Sequence, residues 1–313
     1  MVILFDTLFG SIKNRSILLT KLRFYSMLRF VVKLTANIIL PIYFELLKGK
    51  QKFSLNTSDK TNDRIIVSIT SFPARINKIW LVIETLLHQK QKPDKIILWL
   101  SVEQFSCLNK LPKRLLKLQE RGLEIRICEN NLRSHKKYYY AFKEFPNDYI
   151  ITVDDDVFYS PNLLTNLLDA KNKYPNSICC NEASFVRISN GVIEPYCKWE
   201  NVIGEYRSNH EIIPIGVGGV LYPPGSLYND VLKFELFKEM CFSADDIWLN
   251  VMARLKGTEI VKTAYNSNYL PVMNANNQTL YSTNLYEGLN DIQLNKVREY
   301  YISNQGIDPY LIV

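Results

Sequence analysis

Histidine is scarce in this 313-residue chain, and its three copies (His88, His135, His210) all precede Glu211. The six cysteines (107, 128, 179, 180, 197 and 241) form no C-x-x-C pair and show no metal-ligand spacing. That argues against a zinc module and against a disulfide scaffold. Cys128 and Cys179-Cys180 lie in or beside apolar runs, where a free thiol acts as a small hydrophobe, so the expectation is reduced thiols in a reducing compartment. Long apolar runs are missing too. The longest uncharged stretch of the N-terminal arm, Leu34–Phe44, has eleven residues and contains Pro41, short of the ~20 that span a bilayer. Met1–Gly10 has no basic leader and contains Asp6, which speaks against a cleaved signal peptide. No G-K-[ST] follows Gly216-Val-Gly-Gly219, so this is no phosphate loop. Internal repeats and low-complexity tracts are absent.

Charge excess is also missing from most of the chain. Residues 1–52 hold nine Lys or Arg against Asp6 and Glu45, which accounts for the whole net charge of +7, so residues 53–313 are neutral overall. A nucleic-acid protein spreads cations over its binding face, so this distribution argues against that class. At helical spacing Ile17, Phe24, Leu28 and Val31 share one face, with Arg15, Arg29 and Lys33 opposite. The expectation is an amphipathic arm over 1–52, lying in the headgroup layer with its cations near anionic lipid; the alternative is a helix packed on the domain with a solvated basic edge, and the charge asymmetry favours the membrane. A polar linker over 53–63 and a main domain over 64–313 would follow.

What is present is a rhythm. Ile65, Ile96, Ile125 and Ile150 head or sit in short apolar runs, with amphipathic segments 76–88, 111–121 and 134–145 between them. That is the spacing of successive βα units, and it predicts an α/β fold with a mostly parallel central sheet flanked by helices. The rhythm stops after residue 156, so a mixed C-terminal half is expected. There, helices are predicted over 160–173, 244–255 and 287–302. Asn190-Gly191 marks a hairpin turn, and 214–222 reads as a strand bent by glycines. The polar stretch Asn274–Asn284 reads as a segment able to close over a bound ligand.

Asp154-Asp155-Asp156 ends the fourth of these apolar runs. Three adjacent carboxylates repel one another and resist desolvation, so they require a compensating cation. Hard divalent ions take oxygen ligands and bridge to phosphates. At the carboxyl end of a parallel strand, where open α/β sheets bind ligands, the triplet reads as a metal–diphosphate site. One aspartate would suffice to complement a helix dipole; three argue for more.

Together, Val67-Ser-Ile-Thr-Ser-Phe-Pro-Ala-Arg75, Lys92-Pro-Asp-Lys-Ile-Ile-Leu98, Thr152-Val-Asp-Asp-Asp156, Ala244-Asp-Asp-Ile-Trp248 and Asn290-Asp-Ile-Gln293 resemble a GT-A-fold glycosyltransferase. The likeness is to glycosyltransferase family 2 and related bacterial capsule or lipopolysaccharide enzymes, over about 64–301. It implies a nucleotide-diphosphate sugar donor and a divalent cation, Mn²⁺ or Mg²⁺. Asp154 would face the nucleoside and share the metal with Asp156, while Asp155 supports either. Thr70, Ser71 and Arg75 follow the first strand, where this fold meets the nucleotide, and Arg75 offers a phosphate partner. Lys137 stands at a position often basic in such enzymes. Inverting transfer needs a carboxylate to take the acceptor proton; Asp246 fits, with Asp245 binding acceptor or raising its pKa. The bland reading of this pair is an acidic first turn capped by Ser243. Trp199, Trp248, Gly218 and Gly219 are candidate acceptor contacts, although a tryptophan on an amphipathic helix also suits a core, and Asn290-Asp291 with Gln293 should orient the last helix. Two departures stand out: Trp99-Leu100-Ser101 replaces the family's usual acidic base-reading residue, and no late histidine is available for metal. The implied activity is metal-dependent, inverting transfer of a hexose or related sugar to a glycan or lipid-linked acceptor, at the inner face of the bacterial cell membrane. A sugar-phosphate nucleotidyltransferase and a glycan-binding or scaffold protein are the rival readings.

Overall fold

The computed structural model describes residues 1–12, 16–47, 55–56, 62–266, 268–273 and 288–311. Three helices come first: α1 (Val2–Ser11), α2 (Ile17–Lys21) and α3 (Phe24–Leu47). The βα series follows, with β1 (Ile65–Thr70), α4 (Ile79–Leu87), β2 (Lys95–Ser101), α5 (Lys113–Leu116), β3 (Leu123–Cys128), α6 (Lys136–Glu144), β4 (Tyr149–Val153) and α7 (Leu163–Lys173). The mixed half holds β5 (Ile178–Cys180), β6 (Ala183–Phe185), β7 (Ile188–Ser189), β8 (Val192–Ile193), β9 (Tyr206–Ser208), β10 (Ile212–Pro214), β11 (Val220–Tyr222), α8 (Phe234–Met240), α9 (Asp245–Lys256), β12 (Ile260–Lys262) and α10 (Leu289–Gln305).

The main sheet runs β3-β2-β1-β4-β11-β5-β12-β9. β1 to β4 are parallel, β11 lies antiparallel between β4 and β5, and β12 is parallel to β5. Alternation along the strands explains why both faces are covered. Val67, Ile69, Ile151 and Val153 pack with Ile79, Val82, Ile83 and Leu86 of α4. Ile66, Ile97, Trp99 and Ile150 face Ala141 and Phe145 on and beside α6. Truncating one buried Leu or Ile to Ala typically costs about 2–5 kcal/mol, so these two faces, more than strand propensity, hold the sheet.

The order reverses at β1, whose neighbours are β2 on one side and β4 on the other. The carboxyl ends of β1 and β4 therefore flank the crevice where doubly wound sheets take ligands. Because β11 runs antiparallel to β4, pairing Val220 with Thr152, the turn Gly216–Gly219 arrives at that same edge.

Some sequence expectations shift. The segment 214–222 is not one bent strand: a 3₁₀ turn over Gly216–Gly218 separates β10 from β11. Pro161 precedes α7, which starts at Leu163 behind Asn162. Asn190 (φ 53°) and Gly191 (φ 75°) do form the predicted hairpin turn between β7 and β8. Asn274–Asn284 and Glu287 lie outside the described residues, as does much of the proposed linker.

The arm departs furthest. A turn at Leu22-Arg23, with Arg23 at φ 56°, separates α2 from α3, so Ile17 and Phe24 do not share one helix. From Phe24 the helix runs 24 residues through Pro41 and is long and apolar enough to cross a membrane by length and composition. Counting only uncharged runs missed this, because Arg29, Lys33 and Glu45 interrupt the sequence without ending the helix. The polarity is also inverted. Arg29 turns inward and donates to the Ile12 carbonyl through Nε (3.0 Å) and Nη2 (2.6 Å), while Met27, Val31, Leu34, Ile38 and Ile42 are exposed.

Candidate active site

Five carboxylates and two cations meet beyond β1 and β4. Arg75 Nη1 lies 2.6 Å from Asp155 Oδ1 and 3.0 Å from Asp156 Oδ2. Lys137 Nζ lies 2.6 Å from Asp154 Oδ1 and 3.0 Å from Asp245 Oδ2. Asp246 also acts electrostatically on this lysine, and its Oδ2 accepts the Gly216 N–H at 3.0 Å. The compensating cation that three adjacent aspartates require is thus supplied in part by the chain. Arg75 and Lys137, candidates for phosphate contact, are already engaged by carboxylates in this structure.

Each side chain is placed by an identifiable local cause. Ser68, a hydroxyl on an otherwise apolar strand, donates to the Lys137 carbonyl and accepts from Trp99 Nε1 at 2.9 Å, fixing the start of α6 against β1. His135, sealed against Phe237 at 4.4 Å between ring centres, hydrogen bonds the Cys241 carbonyl at 2.9 Å and so ties α6 to the entry of α9. Burial lowers its pKa to about 4, leaving it neutral at pH 7. Ser243 does not cap α9. Its N–H and hydroxyl both donate to Gln293 Oε1, at 2.9 and 3.1 Å, so α10 sets the position of the aspartate pair. Asp291 accepts the Tyr196 N–H at 2.7 Å.

Within the triplet, Ser71 Oγ donates to Asp155, which is buried, and Tyr159 Oη accepts the Asp154 N–H at 2.8 Å. Thr70 Oγ1 is spent on the Trp99 carbonyl at 2.8 Å. Burial raises Asp155 despite the opposing Arg75. Burial likewise pushes Asp156 up to about 6; Arg75 opposes this, and Asp154 and Asp155 add to it. For Asp245, burial is outweighed by Lys137, and its pKa falls. Asp246 is pushed up to about 7, chiefly by burial and then by the Asp245 charge. Burial would discharge Lys137, but Asp154, Asp245 and Asp246 more than offset it. Stripping a buried ion of its partners costs about 3–5 kcal/mol, which gives the cluster a strong structural hold on this lysine.

Among the described residues no group of three or more His, Cys, Asp or Glu is arranged to hold a metal ion. Asp154 and Asp156 nevertheless suit a hard cation shared with phosphate and water. They are the more open members of the cluster, with side chains about a third exposed at 32% and 29%. Five carboxylates against two cations also leave negative charge unmatched.

Two sequence candidates are placed elsewhere. Trp248 is fully buried against Phe237, with Nε1 donating to the Val231 carbonyl at 3.2 Å. Trp199 is buried beside Tyr196 and donates to the Glu194 carbonyl at 2.9 Å. Neither ring offers a free face to a sugar; both are core. Gly218 packs against Glu182, where an added Cβ would lie 2.6 Å from Cγ, and Gly219 takes φ 83°. Residues not singled out from sequence are Tyr159, Glu182 and Tyr269, a residue with φ 51° whose hydroxyl hydrogen bonds Glu182. The unexplained serine in β1 was the readable signal for the α6 contact; the Gly216–Gly219 run stood out in sequence, but nothing local tied Gly216 to Asp246. A Cβ there would fall 2.7 Å from Asp246 Oδ1 and 3.2 Å from Lys137 Nζ. Gly216→Ala is expected to slow the sugar transfer that the sequence resemblance implies about 10–100-fold by displacing that carboxylate, with thermal melting little changed. An unaltered kcat would show that the close approach has no role.

Residues 69–212 match the family model described as glycosyl transferase family 2. The chain is therefore related to that family, and it is a glycosyltransferase that uses a nucleotide-sugar donor. No curated protein matches the chain. Among solved structures, it is similar to Francisella tularensis 2-C-methyl-D-erythritol 4-phosphate cytidylyltransferase at 13% identity, over 72% of this chain and 99% of that one, with a TM-score of 0.38. A UTP-bound UGPase from Acinetobacter baumannii aligns at 10% identity, over 78% and 95% of the two chains, with a TM-score of 0.40. CMP:2-keto-3-deoxy-manno-octonic acid synthetase complexed with CTP aligns at 10%, over 76% and 100%, also at 0.40. Similarities this low carry no argument about activity.

Proposed function

We propose that the protein is a metal-dependent, inverting hexosyltransferase of cell-surface polysaccharide synthesis, with Asp246 as its base. The observation that carries this reading is the meeting of the Asp154–Asp156 triplet and the Asp245-Asp246 pair around Lys137, with Asp246 poised near neutral pH. A general base works best with a pKa near the working pH.

In this reading, Asp246 takes the proton of the acceptor hydroxyl as that oxygen bonds to the anomeric carbon. The bond from that carbon to the diphosphate oxygen breaks, and its electron pair leaves with the diphosphate. Asp245 keeps Lys137 charged and raises its neighbour. Gly216 N–H holds the Asp246 carboxylate in place. Ser71 and Arg75 hold Asp155 under the diphosphate region, with Thr70 at the rim. A divalent cation held by Asp154 and Asp156 would supply positive charge to the departing β-phosphate. The acceptor is a glycan or lipid-linked glycan, approached beside Gly218 and Gly219, and the basic arm over 1–50 meets an anionic membrane at the inner face of the cell membrane.

A panel of nucleotide-diphosphate sugars with Mn²⁺ tests the reading. The expected result is slow release of nucleoside diphosphate from one donor, abolished by EDTA and accelerated by the correct acceptor. Consumption of a nucleoside triphosphate with a sugar phosphate would instead mark a nucleotidyltransferase. No turnover of either kind would mark a binding protein.

A further inference from the structure

Soluble helices turn apolar side chains inward and polar ones outward, but α3 carries an apolar stripe on its outer face as well as its inner one. Met27, Val31, Leu34, Ile38 and Ile42 recur every three or four residues, and all are exposed. Ala36, Leu40 and Phe44 are buried on the opposite face. Ile3, Leu4 and Leu8 of α1, which packs on α3, add exposed apolar surface. Patches of this extent on a soluble chain mark a contact surface.

The inner face fixes how α3 meets that contact. Arg29 is bonded to Ile12. Asn37 donates to the Pro271 carbonyl at 2.9 Å and accepts the Met273 N–H at 2.8 Å. Phe44 packs on His88 at 5.3 Å, and Glu45 lies 3.3 Å from Arg114. Arg29 thus ties α3 to the rest of the arm, and domain contacts run from residue 37 to 45, about 12 Å of helix at 1.5 Å per residue. The 13 helical residues before them, 24–36, fall short of the ~20 that a span needs.

The ends supply charge complementarity. Lys21 and Arg23 precede α3 in the sequence, Lys48, Lys50 and Lys52 follow it, and the arm carries the chain's whole excess of +7. An apolar stripe bracketed by cations matches acyl chains beneath anionic headgroups. We propose that α3 lies flat in one leaflet of an anionic bilayer, its Met27–Ile42 stripe in the hydrocarbon, as a monotopic seat rather than a span. This deepens, and rests on, the membrane part of the proposed function. It replaces a headgroup-level, cation-led contact with an apolar one. The seat also reaches the candidate site: the segment held by Asn37 continues through Val272, whose N–H donates to the Asp156 carbonyl at 2.8 Å. Asp156 is thereby held close to the membrane, where a lipid-linked acceptor would be.

The test uses the full chain and vesicles of phosphatidylcholine with phosphatidylglycerol. Val31→Asp combined with Ile38→Asp changes only exposed positions, and should lower vesicle flotation about tenfold or more while donor hydrolysis persists in solution. For depth, Val31→Cys, Ile38→Cys and Ile42→Cys are made singly on a Cys107→Ser, Cys197→Ser background and dye-labelled. Quenching by lipid-borne spin labels should place all three at one depth. A double variant that floats like the parent overturns the proposal. So does quenching deepest at mid-helix and shallow at both ends, which means crossing. A parent that ignores vesicles but forms a dimer, lost in the double variant, assigns the stripe to a second copy and also overturns it. Flotation, quenching and dimer formation, which decide the proposal, do not involve sugar transfer, so failure here and failure of the enzymatic reading stay distinguishable.

Discussion

Replacing Asp246 by asparagine is expected to lower kcat for sugar transfer about 10²–10⁴-fold, the usual span for a lost general base. Donor KM should change little, because Asp154, Asp155 and Asp156 remain. The pH profile adds a sharper criterion. Asp246 is held near 7 by burial and by Asp245, and only its ionised form accepts a proton. Transfer by the parent should therefore fall about tenfold per pH unit below 7, and that limb should vanish in the variant. Stability moves the other way. Burial raises the folded-state pKa above the ordinary carboxylate value, so the folded state binds more protons than the unfolded one between about 4 and 7. The parent loses this contribution as pH rises through that window. Asp246→Asn should then melt above the parent at pH 8, with the gap closing by pH 5. Full transfer activity in the variant would remove Asp246 from the chemistry.

Asp156→Ala should be the second large effect, lowering Mn²⁺-dependent release of nucleoside diphosphate by about 10²–10³-fold, the scale of losing one preorganised electrostatic group. The fold should survive, since Arg75 keeps its 2.6 Å contact with Asp155. Thermal melting separates metal loss from misfolding. A ligand at a hundredfold excess over its Kd stabilises the native state by about 2.7 kcal/mol. Mn²⁺ should raise the parent's Tm and leave the variant's nearly unmoved. Parental release rates at saturating Mn²⁺ would place the cation elsewhere.

Much of the architecture was legible because its cause is local. Apolar runs about Ile65, Ile96, Ile125 and Ile150 became β1 to β4, since strands buried on both faces need continuous apolar sequence. Asp154–Asp156 did end the fourth strand, and Asp245-Asp246 did open a helix. The tryptophans misled, because an aromatic ring looks the same in sequence whether it faces a sugar or, like Trp248, a core. The arm misled for a related reason. Helical spacing gives the faces of α3 but not which one the domain covers, and the covered side proved to be the one bearing Arg29.

The order of residues was enough to specify the parallel sheet, the acidic strand end and the neutral domain behind a cationic arm, all of which depend on neighbours within a few turns or on bulk charge. Packing alone decided which cations answer those carboxylates. Arg75 meets Asp155 across 80 positions of chain and Lys137 meets Asp154 across 17, once β1, β4, α6 and α9 converge on one edge. Electrostatic partners are chosen by distance in space, and burial then sets their protonation; neither distance nor burial exists until the chain has folded.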